Sequence, residues 1–184
     1  LLVLEYGGNE DQAIAAILHD SVEDGGGPVM LQQVTDQFGQ LIAGYVEALS
    51  DSFAEDPTKK APWRQRKTEY IKGLIEKSTE IALISAADKL YNLRSVRVDH
   101  HRIGRVVWGR FNPVSGRAGQ LWYYSQLTEI LGVLLAKSDT TGQDLAAALD
   151  RELLELLEQI AADPVENTTV TELYAEITAF GSKK

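Results

Sequence analysis

Four side chains able to bind a cation or move a proton crowd into one short stretch: His19, Asp20, Glu23 and Asp24. His19 and Glu23 stand four residues apart, as do Asp20 and Asp24, so on a helix each pair shares a side. An imidazole nitrogen beside carboxylate oxygens can ligate a divalent ion, and a neighbouring carboxylate can take a proton from water. A lone His-Asp dipeptide is more often a cap or a solvated ion pair, so these residues alone decide little. A second polar pair, Asp88 and Asn92, repeats the four-residue spacing within Ser85-Ala86-Ala87-Asp88-Lys89-Leu90-Tyr91-Asn92-Leu93-Arg94. Ala86 and Ala87 are small enough to let this helix approach another closely. That would bring Asp88 to His19 and Asp20 and make a nitrogen and oxygen site suited to a divalent ion such as Mn or Fe. The alternative for Asp88 is a salt bridge to Arg94 or a neighbouring Lys.

The elements that must position these residues read as helices throughout. Apolar spacing in Ala13, Ile14, Ile17, Leu18 and Val22 predicts one helix from Asn9 or Glu10 to just before Gly25-Gly26-Gly27-Pro28. Residues 30–37 and 39–50 read as two short helices separated around Phe38-Gly39, followed by a polar loop through Asp56-Pro57 to Pro62. Pro62 suits a helix start, and Trp63 to about Lys77 forms the next helix, basic on one side through Arg64, Arg66, Lys67 and Lys72. A helix from about Thr79 to Val96 carries the second motif. Residues 103–116 are irregular, with glycines at 104, 109 and 116, and Gly119 to Lys137 is an apolar helix of the core. After a turn over Ser138 to Gly142, the series Leu145, Leu149, Leu153, Leu156 and Ile160 marks an amphipathic helix that packs or contributes to a homo-oligomer contact. A short helix over Thr168 to Phe180 closes an all-α chain.

Composition narrows the function classes. With 184 residues, 44% of them hydrophobic and 24% charged, the chain can bury one sizeable core. Eighteen Lys and Arg against 27 Asp and Glu leave a net charge of −9, which disfavours a nucleic-acid partner. No cysteine is present, so a metal must be held by His and carboxylates. No apolar run is long enough for a membrane span, which gives a soluble, cytoplasmic protein with no membrane partner as the expectation.

Ala15-Ala16-Ile17-Leu18-His19-Asp20-Ser21-Val22-Glu23-Asp24 resembles the HD signature of the hydrolase domains of the RelA/SpoT family, which are HD-domain metal-dependent phosphohydrolases, and Ser85 to Arg94 resembles their distal Asp motif. Phe38-Gly39, Val46-Glu47-Ala48-Leu49-Ser50 and Arg66-Lys67 with Tyr70 are further, weaker similarities, and the resemblance covers about residues 1–97. It implies an all-α HD-domain helical bundle over residues 1–137 with a C-terminal helical extension over 138–184. It also implies hydrolysis of guanosine tetraphosphate or pentaphosphate at the 3′-pyrophosphate. The alternatives are an HD phosphohydrolase acting on another nucleotide, and a degenerate module that binds nucleotide or protein without catalysis.

By the same resemblance His19, Asp20 and Asp88 are metal ligands, Glu23 and Asp24 handle protons, and Asn92 contacts the nucleotide. The cofactor is a divalent metal, Mn first, with Fe and Mg as other candidates. Arg64, Arg66, Lys67 and Arg117 are candidates to offset the acidic site for a polyphosphate, and Tyr123, with Trp122 and Tyr124 beside it, is a candidate aromatic contact, although core packing is the commoner use of such residues. The family pattern includes an earlier His on the preceding helix. Leu1 to Leu4 leading into Tyr6-Gly7-Gly8 reads as the end of that helix, so the expectation is a truncated domain rather than a degenerate one. His100 and His101 do not match the earlier His, and as neighbours that point in different directions they are expected at the surface.

Overall fold

The computed structural model describes residues 1–52, 54 and 59–182, and the Asp56-Pro57 part of the predicted polar loop lies outside them. Among the described residues there are helices and turns but no strands. The chain begins with the helical turn α1 (Leu2–Glu5), followed by α2 (Glu10–Leu18), α3 (Ser21–Gly25), α4 (Pro28–Phe38) and α5 (Gln40–Leu49). Then come α6 (Trp63–Leu74), the long α7 (Thr79–Ile103), a 3₁₀ segment (Gly104–Arg110), α8 (Gly116–Leu135), α9 (Thr140–Ala162) and α10 (Val170–Gly181).

Local chemistry sets the start of α2 and ties it to α7. Asn9 caps the helix by accepting from the Gln12 amide at 3.0 Å, while the Gln12 side chain accepts from the Asn9 amide at 2.8 Å. The same Gln12 side chain donates to the Glu80 carbonyl at 3.5 Å, which joins the first turn of α2 to the first turn of α7. Ahead of it, Gly7 takes a left-handed φ of +84°, and a Cβ on Gly8 would come within 2.4 Å of a Val3 methyl. The predicted turn at Tyr6-Gly7-Gly8 therefore folds α1 back tightly enough that Val3 is buried.

Two apolar clusters meet along α7. One gathers Ala15, Val22, Val34, Ile42, Val46 and Leu49 from α2 to α5 around Ile84. The larger joins α6, α7, α8, α9 and α10, with Leu90, Leu127, Leu131, Leu149 and Leu156 among its fully buried side chains. At a rise of about 1.5 Å per residue, α7 is a spine roughly 37 Å long. Its Ala86 and Ala87 are buried, as is Ala15 on α2. α2 packs against α7 and brings His19 to 3.3 Å from Asp88, as the small-residue expectation for the two motif-bearing helices requires. Glu152 on α9 is held by Arg97 and, at 3.4 Å, by Arg94, so Arg94 serves the packing of α7 on α9 and not Asp88.

Several expected boundaries move. The helix carrying the second motif runs to Ile103, well past Val96, because its last turns pack against α9 and the 3₁₀ segment. The single helix predicted up to Asp24 is broken at His19-Asp20. The His19 ring Nδ1 donates to the Ala16 carbonyl at 2.9 Å, the acceptor that a continuous helix would offer to the Asp20 amide. Asp20 relaxes to ψ −9°, and α3 resumes with the Asp24 amide donating to the Asp20 carbonyl at 3.0 Å.

Candidate metal centre

The break presents His19 and Asp20 side by side toward α7. With its Nδ1 proton committed to Ala16, the ring presents Nε2 to Asp20 and Asp88, and Nε2 becomes the ligand position once it sheds its own proton. Nε2 lies 3.1 Å from Asp20 Oδ1 and 3.3 Å from Asp88 Oδ1. Asn92, one turn on from Asp88, donates to the same Asp88 oxygen at 3.0 Å. His19, Asp20, Asp88 and Asn92 form the polar side of a cavity of about 440 Å³ whose apolar side includes Leu2, Val3 and Tyr91. The donor types, an imidazole nitrogen and two carboxylate oxygens, suit a divalent cation, but the two carboxylates each approach His19 Nε2 without coming within ligand distance of one another.

The electrostatics are those of a pair of buried charges held by their neighbours. Burial pushes the Asp88 carboxyl up, but Lys89 and His19 outweigh it and hold Asp88 far below the usual carboxylate range. Lys89 is paired with Asp88 Oδ2, and although burial disfavours its ammonium, Asp88 lifts it well above its ordinary value. For His19, burial acts downward and Asp88 and Asp20 act upward, with a net rise above 6.5. Lys89 therefore supplies a fixed positive charge behind Asp88.

Glu23 and Asp24 lie on α3 beneath a second group of cations. Lys60 donates to Glu23 at 3.0 Å and to Asp24 at 3.4 Å, and Arg66 Nη1 donates to Glu23 at 3.2 Å. Arg66 also donates to Asp51, and Lys67 donates to Asp51 at 2.6 Å. Arg66 is thus placed beside the expected proton-handling Glu23, and Lys67 beside Asp51. Lys60 and Asp51 were not singled out from the sequence, whereas the Lys89 pair is the neighbouring-Lys salt bridge that the sequence offered as the alternative for Asp88. Lys89 had a readable signal, since it stands three residues after Ala86 and four before Leu93, on the apolar stripe of α7. Asp51 had none, because it follows the last turn of α5 in what reads as solvated loop.

Two expected substrate contacts are placed elsewhere, and a third, Tyr123, lies buried beneath Lys67. Arg64 donates to the carbonyls of Phe180 and Gly181 at 2.7 and 3.0 Å, at the C-terminal end of α10. Arg117 pairs with Glu166 and Glu176, binding α8 to the loop before α10 and to α10 itself. Tyr123 is 6% exposed, packed edge-on against Trp63 with Lys67 over its ring, and Trp122 and Tyr124 are buried with it. The apolar periodicity that makes α8 a core helix carries these aromatic rings inward.

His100 corrects the surface expectation. It is buried, and one of its ring nitrogens lies 3.3 Å from Glu166. With Asp163 it forms a group of three potential ligand atoms within 4.8 Å of one another, so these residues could hold an ion. Glu166 already accepts from Trp108 at 3.3 Å and from Arg117, and the other His100 nitrogen is 3.0 Å from the Gln159 amide. The group is satisfied without a cation and fastens the end of α7 to the loop before α10.

The sequence profile of the HD domain family matches residues 1–121, which takes in both motifs and α1 to α7. The chain belongs to the HD domain family. It is 34% identical over 93 residues to a Xenopus tropicalis protein named guanosine-3′,5′-bis(diphosphate) 3′-pyrophosphohydrolase MESH1, a match covering 50% of this chain and 48% of that protein. The MESH1 of Mus musculus is 35% identical over 82 residues, covering 45% of this chain and 41% of its own length. That of Danio rerio is 32% identical over 82 residues with the same coverage. The chain thus spans about half the length of the curated relatives it matches. The crystal structure of lmo0812 from Listeria monocytogenes EGD-e superposes with a TM-score of 0.66 over 83% of this chain and 94% of that one, at 24% identity, which shows a shared fold. An HD domain of this kind implies a divalent metal. No helix of the described residues is long and apolar enough to cross a membrane.

Proposed function

We propose that this HD domain is a metal-dependent phosphohydrolase that removes the 3′-pyrophosphate of guanosine tetraphosphate or pentaphosphate. The observation that carries the reading is the convergence of His19 Nε2 with Asp20 and Asp88 at the wall of a cavity of about 440 Å³. The relatives named as pyrophosphohydrolases of guanosine bis(diphosphate) supply the substrate class. Mn is the proposed ion, held by His19, Asp20 and Asp88, a mixed nitrogen and oxygen set that suits a first-row divalent metal.

When bound, a divalent cation supplies Lewis acidity toward water and a phosphoryl oxygen. The side chains do the rest. Glu23, with Asp24 beside it, accepts the proton of the attacking water, whose oxygen bonds to the 3′-linked phosphorus as the bond to the ribose oxygen breaks. That ribose oxygen takes up a proton, and pyrophosphate and the guanosine 5′-diphosphate or triphosphate leave. Arg66 and Lys67 offset the phosphate charge, and Asn92 meets the nucleotide from the cavity wall. We also propose that the portions 1–137 and 138–184 work as one unit, which is supported by the shared core of α7 to α10 and by Arg64 reaching from α6 to the end of α10. The test is pyrophosphate release from guanosine tetraphosphate with added Mn by the full chain and by His19→Ala and Asp88→Asn. Release lost in both variants supports the reading. No release from the folded, Mn-bound parent and none from a version extended upstream by the helix expected to carry the earlier His sinks it.

A further inference from the structure

Asp51 is the least expected charge in the molecule. It follows the C-cap of α5, yet its side chain is 3% exposed and accepts from two consecutive cations of α6. Consecutive helix residues project about 100° apart, so Arg66 and Lys67 do not aim at one place without a common partner. Asp51 is that partner: one oxygen takes Arg66 Nη1 and the other takes Lys67 Nζ at 2.6 Å. Arg66 is fixed from a second side, since its Nε donates to the Ala61 carbonyl at 3.1 Å, and the Nη1 that meets Asp51 also reaches Glu23 at 3.2 Å. Burial pushes the Asp51 carboxyl up, and Lys67, a hydrogen bond with Glu23 and Arg66 together outweigh it and hold it below the usual carboxylate range.

We infer that Asp51 is a positioning residue that aims Arg66 and Lys67 together at the phosphates of a polyanionic substrate beside Glu23. The inference rests on the phosphohydrolase reading for the identity of that substrate, but its geometry does not depend on the metal ligands. Arg66 Nη2 and the Lys67 N–H groups not taken by Asp51 have no hydrogen-bond partner among the described residues, and these are the groups left to meet phosphate oxygens. With both side chains held by Asp51, the ordering of two long side chains is completed before binding.

The test is the affinity of the full, metal-loaded chain for inorganic pyrophosphate, measured by calorimetry, with folding checked by circular dichroism. Asp51→Asn keeps the shape and removes the charge, and is expected to weaken binding about tenfold. Asp51→Glu keeps the charge one methylene further out and is expected to lose less. In an Arg66→Ala, Lys67→Ala background, Asp51→Asn is expected to add no further loss, because the groups it positions are gone. Undiminished affinity in Asp51→Asn, or the same loss in both backgrounds, overturns the inference and leaves Asp51 a staple between α5 and α6. A parent chain that does not bind pyrophosphate overturns it too. The hydrolase reading is decided separately, by Mn-dependent release from guanosine tetraphosphate.

Discussion

Replacing Lys89 with Met removes one charge from the centre of the site while keeping an unbranched chain in the same space. The pair it breaks is mostly buried, with side-chain exposures of 15% for Lys89 and 12% for Asp88. Removing one partner of a buried ion pair costs about 3–5 kcal/mol, because the other charge is left uncompensated. Asp88 keeps its contacts with His19 and Asn92 through the other oxygen, so the lower end, about 3 kcal/mol, applies. For a chain of 184 residues this corresponds to a fall in Tm of roughly 6–12 °C. The measurement is thermal unfolding in chelator and again in excess Mn. In chelator the variant should melt lower by that amount. In Mn the gap should narrow, because a cation at His19, Asp20 and Asp88 restores a positive partner for Asp88 and no longer meets the Lys89 ammonium behind it. A chelator Tm within about 2 °C of the parent would show that Asp88 does not depend on Lys89, and an unchanged gap in Mn would show that Lys89 does not oppose the ion.

Three further predictions concern pH and the far end of the bundle. Asp51 and Asp88 have lowered folded values, so their stabilisation of the metal-free chain is present above the ordinary carboxylate value of 3.8 and is lost as pH falls through the folded ones; denaturant melts should lose stability in acid, less so in Asp51→Asn. His19 is raised, so its contribution is complete below 6.5 and is lost as pH rises through its folded value, while Mn affinity measured by titration should climb with pH across that same window as the ring sheds its proton. Arg117→Ala breaks the pairs with Glu166 and Glu176 and should cost about 3 kcal/mol by chemical denaturation, with pyrophosphate affinity unchanged. A loss of pyrophosphate affinity in a stable Arg117→Ala chain would return Arg117 to the substrate.

The sequence by itself determined the helical class, the positions of most helices and the two motifs, because each rests on local rules. Apolar residues recur at helical spacing, Asn9 and Pro62 mark starts, and His19-Asp20 and Asp88-Asn92 carry ligand-type groups at spacings readable along the chain. Tertiary structure decided what each charge does. Whether a cation of α6 faces substrate or neighbour depends on which element packs over it: Arg66 and Lys67 meet Asp51, whereas Arg64 meets the end of α10. Arg117 read as a candidate phosphate contact and His100 as a surface residue, yet the loop before α10 brings Glu166 to both across long separations in the chain. Periodicity assigns a face to a residue within its own helix. The partner that faces it, and hence its ionisation and role, is fixed only when the helices dock.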